Sequence, residues 1–170
     1  MRLSAIRISL PRLCAAALVM ITLAGHTQPL LEAMRPAQWT TLIFVSTQMP
    51  RASLVTLARQ AQRTRATLVL NGFQAGHVGM GDAQQWVGQL NLDCCGPNGG
   101  AAFEIDPKKF EHYAIKSVPA FVITPFAEAP SAQWSKVSGD MDLGNAFKFF
   151  ANQSQLKKAR EYAEIAYQKL

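Results

Sequence analysis

Between Tyr113 and Ile123 the chain reads Tyr-Ala-Ile-Lys-Ser-Val-Pro-Ala-Phe-Val-Ile, with an apolar run that begins at a proline. Proline has no N–H to give to a sheet ladder, so Pro119 cannot stand inside an ordinary central strand. The segment reads as a helix end, a short link, and a strand that starts through a special proline. Few folds begin an apolar strand in this way, so the segment constrains everything around it.

The elements on either side alternate. Thr40 to Ser46 is rich in β-branched and aromatic residues and reads as a buried strand. Pro50 opens a helix, where a missing N–H costs little, and Leu54, Leu57, Ala58 and Ala61 follow at helical spacing. Ala66 to Leu70 is a second strand, ended by Asn71-Gly72. Gly76, Gly79 and Gly81 mark a loop, and Asp82 is placed to cap a short helix carrying Trp86, Val87 and Leu90. Cys94 to Gly100 reads as a turn-rich loop, and Ala101 to Ile105 as a short strand. Asp106-Pro107 is a helix start, with a cap and a proline at the first helical position. After the Pro119 strand, Gln133 to Ser138 is the returning strand of a hairpin. A helix then carries Leu143, Ala146, Phe147 and Phe150 on one side. This order predicts an α/β domain with a right-handed crossover in its first half.

At 170 residues the chain is one domain with small additions, and 49% apolar residues suffice for a core. Only 16% are charged, which directs attention to a targeting segment. Arg2, Arg7 and Arg12 precede an apolar stretch from Leu13 to Leu23, the anatomy of a secretory signal peptide. The stretch is short of the roughly 20 residues a spanning helix needs. Residues 1–24 are therefore expected to be removed on export, with Cys14 inside the leader and the membrane met only through it. Residues 25–39 form a polar lead-in, 40–153 the domain, and 154–170 a C-terminal helix. The formal charge of +6 falls to about +3 once the three leader arginines are gone, which gives no case for direct nucleic-acid binding.

Export changes how the cysteines are read. Cys94 and Cys95 remain, and they are adjacent. A trans peptide holds their α-carbons about 3.8 Å apart, whereas an unstrained bridge prefers roughly 5.5 Å. A vicinal bridge, two free thiols and a bond to another chain all stay open, and the role of the pair is unassigned. His26, His77 and His112 show no metal-ligand spacing with them, so neither metal nor cofactor is expected. Asp140 and Asp142 read as helix caps. The glycines at 76–81 lack the Lys-Ser/Thr of a phosphate loop. Arg51, Arg59, Arg63 and Arg65 lie largely off the apolar face of their helix, and Trp39, Trp86 and Trp134 read as core or rim residues.

Tyr-x-Ile-x-x-Val-Pro-x-Phe-Val (113–122) closely resembles the stretch before the third core strand of thioredoxin-like proteins, where the X-Pro bond is cis. The resemblance implies a central mixed sheet flanked by helices. It also implies a place for a nucleophilic cysteine, just after the first core strand at a helix N-terminus, where dipole and free amides lower a thiol pKa. Met49-Pro50-Arg51-Ala52 stands there and offers no thiol. The redox dithiol is thus expected to be absent, with no catalytic residue and no enzymatic activity.

Three blocks narrow the resemblance further: Phe-Val-Ser-x-x-Met-Pro (44–50), Ile-Asp-Pro-x-x-Phe-x-x-Tyr-x-Ile-x-x-Val-Pro-Ala-Phe-Val (105–122), and Val-Ser-Gly-Asp-x-x-Leu-x-x-Ala (137–146). Together they resemble the pilin-assembly protein TrbC of F-type conjugative transfer systems. That family implies a periplasmic, non-enzymatic factor of conjugative pilus biogenesis within a type IV secretion apparatus. Its implied partners are other pilus assembly proteins, TraW-like ones among them, with pilin itself as a further candidate. A groove flanked by Met49, Pro50, Arg51, Val118 and Pro119 is the expected partner seat, made adaptable by the methionine. The alternatives are a divergent periplasmic thiol-disulfide protein using Cys94 and Cys95, and a generic periplasmic chaperone.

The C-terminal helix lies outside the recognised blocks. Its apolar positions are Leu156, Ala159, Ala163, Ala166 and Leu170. Such an alanine stripe buries little area, so the helix is expected to add only modestly to stability if it docks on its own domain. Its competing use is to hold a partner subunit.

Overall fold

The computed structural model describes residues 38–72, 79–126 and 129–170. The leader, its cleavage near Ala24, nearly all of the lead-in, His26 and His77 lie outside the described residues. Five strands, β1 (Thr40–Val45), β2 (Thr67–Leu70), β3 (Ala102–Ile105), β4 (Ala120–Thr124) and β5 (Ser135–Ser138), form one sheet in the order β3-β2-β1-β4-β5. β1, β2 and β3 run parallel, while β4 lies antiparallel to β1 and β5 antiparallel to β4. The helices are α1 (Arg51–Thr64), α2 (Met80–Cys95), α3 (Pro107–His112), α4 (Leu143–Gln153) and α5 (Lys157–Tyr167). This is the thioredoxin-like sheet flanked by helices that the blocks around Pro119 implied.

Alternation along the strands divides the core between the two faces of the sheet. Ile43, Val45, Leu68, Leu70, Phe121 and Ile123 share one buried cluster with residues of α1, α2, α4 and α5. Leu42, Phe44, Val69, Ala120 and Val122 face the other way, against Tyr113 and the α3 residue Phe110. Both faces are covered, which is why β1 and β4 read as unbroken apolar runs instead of alternating.

The helix starts follow local chemistry. Asp106 accepts a hydrogen bond from Lys109 N–H at 3.2 Å, with Pro107 at the first helical position. Asp142 does the same for Asn145 N–H at 2.8 Å and also accepts from Gln60 Nε2 at 3.3 Å, so α4 is fastened to α1. α2 differs from expectation. It begins at Met80, two residues before Asp82, and continues for 16 residues into the segment read as a loop. Cys94 and Cys95 are its last two residues, and Gly96 ends it at φ 75°, a conformation that glycine adopts freely.

The C-terminal helix docks on its own domain. Ala159, Ala163 and Ala166 are buried in the core cluster with Phe147 and Phe150 of α4. Small side chains let α5 approach closely, so an alanine stripe here means tight packing. Ser154 Oγ accepts from Leu156 N–H at 3.2 Å and lies 2.6 Å from Ser135 Oγ. Arg63 donates to the Leu170 carbonyl at 2.6 Å. The Thr41 hydroxyl donates to the Tyr162 hydroxyl at 3.2 Å, which ties α5 to β1.

Burial pushes the Tyr162 phenol above its ordinary value of 10.0, against the opposing effect of the Thr41 hydrogen bond. A raised phenol pKa means that the fold favours the neutral form. Its contribution to stability is complete below about pH 10 and is lost as pH rises through the folded-state value. Tyr162→Phe is expected to blunt this alkaline loss in a denaturation series between pH 8 and 12. At neutral pH it should cost about 0.5–1.5 kcal/mol, the worth of one hydrogen bond.

Candidate functional site

The chain turns at Ser46 to Met49 after β1, with Met49 N–H donating to the Ser46 carbonyl at 3.1 Å. Pro50 then caps α1, and its carbonyl accepts from Leu54 N–H at 3.1 Å. The Val118-Pro119 bond is cis, and the Pro119 carbonyl accepts from Gly139 N–H at 3.1 Å. These turns bring Met49 and Pro119 into one groove of about 440 Å³, also lined by Thr56, Leu57, Met141 and Asp142. Val118 belongs to a neighbouring pocket of about 240 Å³ with Ser46 and Ser117. Arg51 turns away from the groove, and its Nη2 and Nε lie 2.5 and 3.0 Å from Asp93 Oδ2. Among the residues foreseen as a partner seat, then, Met49 and Pro119 share the groove, Pro50 stands at the start of α1, Arg51 pairs with Asp93, and Val118 lines the neighbouring pocket.

Arg51 leads to the second feature. Asp93 immediately precedes Cys94, and Cys94 and Cys95 are joined by a disulfide with an S–S distance of 2.10 Å. The expectation that the fold lacks a redox dithiol is therefore wrong, and with it falls the exclusion of enzymatic activity built on that absence. The error was one of place. The turn after β1 holds no thiol, but a cysteine pair sits at the C-terminal end of α2, packed against α1. A two-electron redox group is present in the domain.

Its surroundings are specific. Cys94 is 6% exposed and belongs to the core cluster, whereas Cys95 is partly exposed. Cys94 Sγ lies 3.5 Å from the carbonyl oxygen of Asn91. Arg59 Nε donates to the Cys94 carbonyl at 3.0 Å. The Asn91 side chain accepts from Ala101 N–H at 2.9 Å, closing the Gly96–Gly100 loop beside the disulfide. Gly99 is needed there for space: a Cβ on it would lie 2.9 Å from the Cys95 carbonyl oxygen and 2.5 Å from Gln62 Nε2. The Arg51 hydrogen bond holds the Asp93 carboxyl below its ordinary value of 3.8, with a smaller contribution from the Gln89 side chain.

Arg51, Arg59, Asn91 and Asp93 were not singled out from sequence as neighbours of the cysteines. Arg59 and Cys94 are 35 residues apart and meet only because α1 and α2 pack together. No spacing within the chain signals that contact. Among the described residues no group of three or more His, Cys, Asp or Glu side chains could hold a metal ion.

A mixed five-stranded sheet, a strand that follows a cis-proline and a disulfide at the end of α2 define a thioredoxin-like domain that carries a vicinal cysteine pair. Residues 43–150 match the model of the type-F conjugative transfer system pilin assembly proteins, TrbC, and the chain belongs to that family. No curated protein sequence matches it. Among solved structures it is similar to a secreted Mycobacterium tuberculosis disulfide oxidoreductase homologous to E. coli DsbE, at 18% identity over 78% of this chain and 85% of that one. The TM-score is 0.41, too distant a likeness to inform the chemistry here.

Proposed function

We propose that this chain serves conjugative pilus assembly as a periplasmic thiol-disulfide protein acting through Cys94 and Cys95. Family membership supports the pilus-assembly part. The observation that carries the redox part is the closed pair itself, with one sulfur-bearing residue buried and the other partly exposed. An oxidising compartment suits such a pair, and the leader-like N-terminus is the support for that location.

The exchange runs in two steps. A substrate thiolate attacks Cys95 Sγ, the S–S bond breaks, and Cys94 leaves with the electron pair and takes up a proton. A second substrate thiolate then attacks the substrate sulfur of the mixed disulfide and releases Cys95. The substrate leaves with a disulfide, two electrons poorer, and the Cys94/Cys95 pair is reduced until a disulfide donor reoxidises it. The groove at Met49 and Pro119 is the proposed seat for an extended segment of a partner, a TraW-like assembly protein or pilin. Its two methionines, Met49 and Met141, suit adaptable apolar contacts.

Attack at the partly exposed residue of the pair, Cys95, makes the two single variants unequal. Cys94→Ser leaves Cys95 as a free thiol that attacks substrate disulfides, the reverse of the second step, and with no Cys94 thiol to displace the substrate the mixed disulfides at Cys95 should accumulate. Cys95→Ser should accumulate few, because Cys94 is buried. Non-reducing gels of periplasmic extracts, with mass spectrometry of the trapped species, measure this directly. The double serine variant should lose exchange with a model disulfide and lower plasmid transfer at least tenfold. Transfer at the unsubstituted level from a stably folded double variant would end the redox reading.

A further inference from the structure

The exchange reading leaves one chemical difficulty, and the packing of α1 against α2 answers it. Cys94 must leave as a thiolate, yet it sits in the last turn of α2, where the helix's unsatisfied carbonyls make a negative end. α2 has no basic residue in its last turn, and Asp93 adds a carboxylate next to the sulfur-bearing residue. Left so, the thiolate would be disfavoured on both counts. Two arginines from α1 meet these two negative features one each. Arg51 pairs with the Asp93 carboxylate at 2.5 Å. Arg59 donates to the Cys94 carbonyl at 3.0 Å, at the helix end itself. The other neighbours given by hydrogen bonds and close approach, Asn91, Gln89 and Gln62, are neutral.

We propose that Arg59 is a positioning residue that makes Cys94 the departing sulfur of the pair, by placing its cation at the negative end of α2, while Arg51 cancels the charge of Asp93. The inference rests on the exchange reading, but it concerns a property of the reduced protein that can be measured without any partner. Arg59 is exposed as a residue, and its guanidinium reaches across the contact between α1 and α2 to the helix-end carbonyl. Its Nε donates to the helix-end carbonyl, and its fork remains charged at every pH of interest.

The test uses the full-length chain carrying Cys95→Ser, so that Cys94 is the single thiol in its peptide. Reduced protein is alkylated with iodoacetamide from pH 5 to 10, and modification at Cys94 is quantified by tandem mass spectrometry. Arg59→Gln keeps a side-chain donor for the Cys94 carbonyl and removes the charge. It should move the alkylation profile up by about one pH unit, which is about tenfold slower modification at pH 7. Arg59→Lys should restore most of the rate. A second measurement needs no substitution at Arg59: raising NaCl from 0.05 to 1 M should shift the profile upward, because the arginines are exposed and salt screens them. A profile unmoved in Arg59→Gln, or unmoved by salt with Arg59 in place, overturns the proposal. Loss of the exchange reading would show differently, as full plasmid transfer by the double serine variant with this profile still shifted.

Discussion

Removal of residues 155–170 should unfold most of the domain at 37 °C, with a loss of at least about 3–5 kcal/mol, the range for emptying one aromatic core position. The reason is the place of α5 in the core. Ala159 and Ala163 are fully buried and Ala166 is 2% exposed, and they cover the same cluster that holds Phe147 and Phe150. Without them two aromatic rings of α4 meet water. The deletion also strips the partner of the Thr41 hydroxyl, which is itself fully buried, and leaves an unpaired polar group on β1. Thermal denaturation by circular dichroism checks this, with urea titration to separate a lower midpoint from a changed slope. A truncated chain that melts within a few degrees of the full one would return the helix to the role of a partner-binding appendage.

Phe44→Ala should be the most damaging single substitution on the opposite face of the sheet. Phe44 is fully buried, and its ring meets Phe110 edge-on at 4.9 Å and Tyr113 at 5.8 Å. Phe-to-Ala changes in cores cost about 3–5 kcal/mol, and edge-to-face pairs add about 0.5–1.5 kcal/mol beyond area. This second cluster is small, and α3 has no fully buried residue of its own to hold it in place. The expected result is therefore local as well as global. Amides of α3 should lose hydrogen-exchange protection before those of α1 do. Equal loss across both helices would show that the two faces of the sheet open together.

Much of this protein was legible from local chemistry. Asp106-Pro107 and Asp142 announced helix starts because a side-chain oxygen meets a free amide within three residues, a contact that chain connectivity guarantees. The apolar runs at 40–45 and 120–124 announced strands covered on both faces, since neither shows a polar side. Pro119 announced a strand start because a residue without an N–H cannot sit in the middle of a ladder. The three blocks around these features sufficed for the family. The alanine stripe of α5 was also visible, but its consequence was not. Whether small side chains signify weak burial or close approach depends on what lies opposite, and Phe147 and Phe150 lie there only after folding.

The cysteine pair shows where sequence reasoning stops. Adjacent cysteines were plain to see, and the Gly-Pro-Asn-Gly-Gly stretch after them led them to be read as part of a loop. Only the packed structure carried α2 through to Cys95, because Leu90 and Cys94 gain burial against α1 by staying helical. Only the packing of α1 on α2 set Arg51 beside Asp93 and Arg59 beside Cys94, across 42 and 35 residues of chain. The sequence by itself determined the order of elements, the proline-led strand and the presence of two thiols, since each depends on near neighbours. The tertiary structure alone decided that the thiols form a disulfide at a helix end faced by arginines, because electrostatic partners are chosen by distance in space.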